Sequence, residues 1–160
     1  QCRKGRTSCG GFVSMTELPS TPDKIEALEA AMLASEGQVE IPVTHHFGPG
    51  IYIREIAVPA NTLIIGHAHK GPCMNMLLKG VMRVMGPDGE PKTIEAPFVF
   101  TSGPGRKVAY VIEDAVFQNI WATDETDLDR LEELLIEKSD FWLEHDAQTQ
   151  LALLASEVKE

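Results

Sequence analysis

With 160 residues, 43% of them hydrophobic and 24% charged, the chain suits a single domain with one sizeable core. A net charge of −10 repels phosphate backbones and anionic headgroups, so neither nucleic acid nor membrane is an expected partner. No apolar run approaches the length of a membrane span. The basic start QCRKGRTSCGGFVS leads into no apolar stretch of the kind a secretion signal requires.

Cys2, Cys9 and Cys73 form no even framework, which fits a reducing cytoplasm. Residues 1–19 show little apolar periodicity and are expected to be a disordered tail; Met15 is a candidate natural start. Ser20-Thr21-Pro22-Asp23 then supplies a hydroxyl cap, proline at the first helical position and early acid. Ile25, Leu28 and Met32 follow at helical spacing up to Gly37, so an amphipathic helix is expected within residues 20–38.

From Val39 the period shortens. IPVTHHF, IYIREIAV, TLIIGHAH and CMNMLLKG read as four strands. VMRVMGPDGEPKTI reads as two more around a Pro-Asp-Gly-Glu turn, FVF as a short one, and VAYVI and AVFQNIWAT as two strands joined across Glu113-Asp114. After Thr126 the helical period returns with Leu128, Leu131, Leu134 and Leu135, and a last helix is expected after Ser139-Asp140. The expected fold is mainly β: an antiparallel jelly-roll barrel over residues 39–125, one helix before it and a helical extension of two helices over residues 126–160.

The stretch GHAHKGPCMNMLLKG carries the most chemistry. On a strand, residues i and i+2 share a face, so His67 and His69 would project together. Two neutral imidazoles reach one divalent cation when a third ligand converges, and the Cys73 thiolate after the Lys70-Gly71-Pro72 turn is a candidate. The alternative is a pair of solvated histidines at a strand end. By alternation Cys73, Asn75 and Leu77 share one face, and Met74, Met76 and Leu78 the other.

This segment resembles the first motif of the cupin superfamily, in which a glycine and HxH precede a glutamate and, six residues later, a second glycine. His67 and His69 match the pair, Cys73 stands at the glutamate position, and Gly80 closes the motif. The second motif is only partly present: Gly103-Pro104-Gly105 supplies its turn, but Arg106 or Lys107 falls where a histidine belongs. The resemblance implies a jelly roll, a divalent transition metal held by His67, His69 and Cys73, with zinc favoured by a thiolate ligand, and a homo-oligomer. More narrowly, EDAVFQNIWATDETDLDRLEELL, APFVFTSGPG and IPVTHHF resemble small cupin-like proteins of tailed bacteriophages. That implies a virion-accessory or host-directed role in the host cytoplasm or the virion, with virion or host proteins as partners.

Other polar residues interrupt apolar strands. One of Arg54 and Glu55 must face the interior, as an anchor for an anionic or polar ligand or as half of a salt bridge. One of Gln118 and Asn119 must do the same, and Gln118 is taken as the candidate. Tyr52, Arg54, Asn75 and Gln118 are therefore the expected ligand-binding residues. His45 and His46 point to opposite faces; the alternatives are that one enters the barrel and completes a metal set with His67 and His69, or, the favoured expectation, that both sit at a sheet edge. No GxSxG, P-loop, GxGxxG or HExxH sequence occurs. Two functions follow: a binding or structural protein holding a metal or small ligand in its barrel, or a metal-dependent enzyme acting on a small molecule.

Overall fold

The computed structural model describes residues 18–86 and 89–157. Nearly all of the expected disordered tail, with Cys2, Cys9 and Met15, and the Pro87-Asp88 half of the expected turn lie outside those residues. The element order is α1 (Pro22–Leu33), β1 (Val43–Gly48), β2 (Ile51–Val58), β3 (Thr62–Ile65), β4 (Ala68–His69), β5 (Cys73–Met85), β6 (Pro91–Glu95), β7 (Phe98–Ser102), β8 (Val108–Ala122), α2 (Leu128–Leu135), β9 (Ile136–Glu137) and α3 (Asp140–Glu157). The fold is mainly β and antiparallel with three helices, as the strand punctuation and the two helical stretches require.

Two strands are longer than their sequence signals. The expected breaks at Gly80 and at Glu113-Asp114 are bends inside β5 and β8, not strand ends. These two strands pair with each other along most of their length, with register shifts between Leu77 and Met82. Their outer halves belong to different half-sheets. One runs β1-β2-β8-β5-β7, and the other carries β3 on β8 and β6 on β5. Gly80 sits at the fold line with φ +90, and a Cβ there would collide with the carbonyl oxygen of Asp114 and lie 2.8 Å from that of Glu113. Only glycine permits both the conformation and the close approach.

The halves close on a core of Ile56, Val58, Leu77, Met82, Val111 and Ala115. A second cluster joins Tyr52, Cys73 and Trp121 of the first half-sheet to Leu131 of α2, so this helix lies against one end of the roll. Asp127 caps α2 by accepting a hydrogen bond from the Arg130 N–H. Thr21 holds the cap position of α1, but its hydroxyl makes no cap bond; Pro22 and the early acid Asp23 fit the expected start. The α1 helix is fixed instead by Glu29, 5% exposed, whose carboxylate receives both terminal Arg106 nitrogens at 2.6 Å. No described helix is long and apolar enough to cross a membrane.

Candidate functional site

Register decides which side chains share the concave face of the first half-sheet. Arg54 stands opposite His45 on β1 and Asn119 on β8, and Asn119 stands opposite Asn75 on β5. Directly opposed residues in antiparallel strands point to the same side. The concave face therefore carries a polar row, His45–Arg54–Asn119–Asn75, between the aromatic pair Tyr52 and Trp121 and the apolar core at Ile56 and Leu77. Of the expected ligand-binding residues, Tyr52, Arg54 and Asn75 lie on this face. Gln118 does not: it points outward and donates to Glu55 Oε2 at 2.6 Å, beside His46 at 3.6 Å from the same oxygen. Asn119 takes the inward place expected of Gln118. Its parity is that of Phe117 and Trp121, the bulky inward residues on either side of it, and this was the signal in the sequence that identifies it.

Most of the row is tied together. Asn119 Nδ2 donates to Asn75 Oδ1 at 2.8 Å, and Asn75 Nδ2 donates to Ser102 Oγ at 2.9 Å. Tyr52 Oη and His45 Nδ1 are hydrogen-bonded at 2.8 Å. Arg54 differs. Its guanidinium makes no hydrogen bond or ion pair with any other described residue, and the side chain is half-buried. No fully buried polar atom among the described residues lacks a partner, so the unbonded nitrogens of Arg54 keep access to solvent. Its neighbour β1 is an edge strand exposed along its whole length. Glu132 of α2 is the acid whose field reaches Arg54, but its carboxylate is committed to Lys138 at 2.6 Å.

The expected metal set divides. Strand β3 ends at Ile65 and β4 begins at Ala68, so His67 stands in the break and strand alternation does not carry across it. Its ring packs edge-on against Trp142 of α3, centroids 5.1 Å apart. His69 is held by pairing of β4 with β9 and by reciprocal backbone hydrogen bonds with Gly105. It meets Cys73, with Nδ1 3.4 Å from Sγ, and its ring edges against Trp121. No three His, Cys, Asp or Glu side chains among the described residues converge in a way that could hold a metal ion. With one imidazole turned to a tryptophan and no carboxylate beside the other, the donor set does not fit a divalent metal.

The electrostatics favour uncharged donors. Burial, with Lys107, Arg54 and His67 nearby, lowers the His69 pKa to about 4. Burial and the Arg54 charge lower that of His45, and burial with Lys138 and Arg106 lowers that of His67. Burial raises the Cys73 thiol, against the opposing pull of Ser102 and Lys107. At neutral pH the site is thus a guanidinium cation beside neutral imidazoles and a protonated thiol. The two cations at the second-motif position are engaged elsewhere: Arg106 with Glu29, and Lys107 Nζ with the carbonyls of Gly103 and Pro104. Two clefts of about 300 and about 230 Å³ lie beside α1 and share Glu26 and Arg106; neither includes a residue of the concave row.

No family model matches the chain, and no curated protein matches it. Among solved structures it is similar to an RmlC-like cupin family protein with a double-stranded β-helix fold from Methanocaldococcus jannaschii, at TM-score 0.45 and 15% identity over 56% of this chain and 86% of that one. It is also similar to KdgF from a Halomonas species, at TM-score 0.47 and 12% identity over 61% and 91% of the two chains. An acetylacetone dioxygenase from Acinetobacter johnsonii gives TM-score 0.44 and 20% identity over 76% and 79%. These similarities are of fold.

Proposed function

We propose that the chain is a binding protein that takes a small molecule on the concave face of its roll, without a resident metal, in a virion-accessory or host-directed setting. The observation that supports this is the polar row His45–Arg54–Asn119–Asn75, which runs to the exposed edge strand β1 and holds a cation without a hydrogen-bond partner among the described residues. Evolved cores satisfy or exclude such groups, and exceptions concentrate at ligand sites. The phage setting rests on the sequence resemblance alone.

Native mass spectrometry of protein purified without a polyhistidine tag tests the reading. The expected result is a chain free of stoichiometric transition metal, with small-molecule adducts lost on denaturation. Stoichiometric zinc, iron, nickel or manganese that disappears in the His67→Ala, His69→Ala double variant would establish the alternative, a metal-dependent cupin enzyme.

The same proposal includes a homo-oligomer. The outer face of the first half-sheet presents Ile51, Met74, Leu78 and Val99, of which Met74 is 47% and Val99 53% exposed. Apolar residues on three strands, β2, β5 and β7, form a patch of the kind that marks an interface. The polar pair His46 and Glu55 on the same face suits a two-fold contact in which each meets the other's counterpart.

A further inference from the structure

We infer that the ligand is a small monocarboxylate, received by the Arg54 guanidinium. This rests on reading the concave face as a ligand site and adds the chemical class. The half-buried Arg54 guanidinium has no hydrogen-bond or ion-pair partner among the described residues, and a carboxylate of matching geometry would supply one. Glu55, next in sequence, points outward to Gln118 and His46, and Glu132 is held by Lys138. A planar guanidinium presents parallel N–H donors that match the two oxygens of a carboxylate.

Charge count selects a monoanion. Arg54 is the only cation on the row, and Lys107, whose charge reaches His69 and Cys73, already donates to two backbone carbonyls. His45, the other basic residue on the row, is already hydrogen-bonded through Nδ1 to Tyr52 Oη at 2.8 Å. A phosphate dianion would be left with uncompensated charge in a chain that already carries −10.

The surroundings describe the rest of the molecule. Next to Arg54 on the same face, Tyr52 is stacked between Trp121, at 5.7 Å between centroids, and Phe47, at 5.4 Å. Phe47 belongs to the open strand β1 and is 45% exposed. A carboxylate on Arg54 therefore has beside it an aromatic row that ends in the half-exposed Phe47 ring. An acid with an aromatic or short aliphatic body covers that ring.

The test is a titration of the full chain with benzoate, benzamide and inorganic phosphate. It is followed by isothermal calorimetry and by the NMR resonance of the Arg54 Nε–H. Benzoate is expected to bind saturably and to shift that resonance, with benzamide and phosphate at least tenfold weaker. Arg54→Gln is expected to weaken benzoate by about tenfold to a hundredfold, the value of a charge-assisted hydrogen bond. Arg54→Lys keeps the charge without the fork and is expected to fall between. Circular dichroism of both variants confirms folding, and the Lys variant carries the test where the Gln variant fails to fold. Benzamide binding as tightly as benzoate, with no response to Arg54→Gln, would overturn the carboxylate assignment and leave the ligand site standing. Phosphate binding more tightly than benzoate would also overturn it. No saturable binding of any of the three would overturn both.

Discussion

At the scale of single residues, the site turns on parity. Arg54 and Glu55 are adjacent, as are Gln118 and Asn119, so one of each pair must face inward, and the sequence states this without choosing. The choice was legible at β2, where Tyr52, Ile56 and Val58 set the inward series that includes Arg54. It was legible at β8 too, through Phe117 and Trp121, although Gln118 was the expected residue. What the sequence did not display is the break at Gly66-His67, since nothing in TLIIGHAH separates a continuous strand from two short ones. That break sends His67 to Trp142 and leaves His69 with Cys73. His69 has a consequence of its own. Its folded pKa, about 4, lies below the unfolded value of 6.5, so between those pH values the unfolded chain takes up a proton that the folded chain refuses. Stability is full above pH 6.5 and declines as pH falls toward 4, by about 3 kcal/mol from this group. Urea denaturation at a series of pH values should show that decline, and His69→Gln should flatten it. An unchanged slope in the variant would mean that His69 is not the group responsible.

At the scale of elements, the bends in β5 and β8 shape the site, because they turn two long strands into the shared floor of both half-sheets. Glycine inside a strand and two acids opposite it look like turn punctuation, which is why the stretches CMNMLLKG and VMRVM read as separate strands. Continuity depends on pairing across the sheet, which local pattern does not carry. Gly80→Ala should cost about 2–4 kcal/mol, since the methyl group meets two backbone carbonyls that have no rotamer to move. Equilibrium denaturation measures it, and a loss below about 0.5 kcal/mol would mean that the fold line relaxes freely. The α1 helix depends on the Glu29–Arg106 pair. Burial works against the Glu29 carboxylate, but hydrogen bonds from Arg106 and Ser139 outweigh it and hold its pKa below the usual range. Glu29→Gln leaves a mostly buried guanidinium without its counter-charge and should cost about 3 kcal/mol. Hydrogen exchange should localise the loss to α1 and the Gly66 loop, where Arg106 Nε also donates to the Gly66 carbonyl. Uniform destabilisation across the roll would contradict that placement.

At the scale of the whole molecule, the chain presents two unlike surfaces of one half-sheet: a polar concave row with an unmatched cation, and an apolar outer face. The outer face predicts association through β2, β5 and β7. Met74→Lys with Val99→Lys should convert a dimer to a monomer by light scattering while leaving benzoate binding intact; a dimer that survives both substitutions would place the contact elsewhere. The concave row carries the functional account, and its central claim is that the fold gains nothing from the Arg54 charge. Replacing Arg54 by methionine keeps the length of the side chain and removes a charge that has no hydrogen-bond partner among the described residues. The most direct check is urea denaturation of Arg54→Met against the parent chain, both without ligand. The variant should be as stable as the parent or more stable, by about 1 kcal/mol or more, because a ligand site is maintained at the expense of stability. A loss of more than about 1 kcal/mol in the variant would contradict the account, because Arg54 would then be a structural residue with its counter-charge inside the fold.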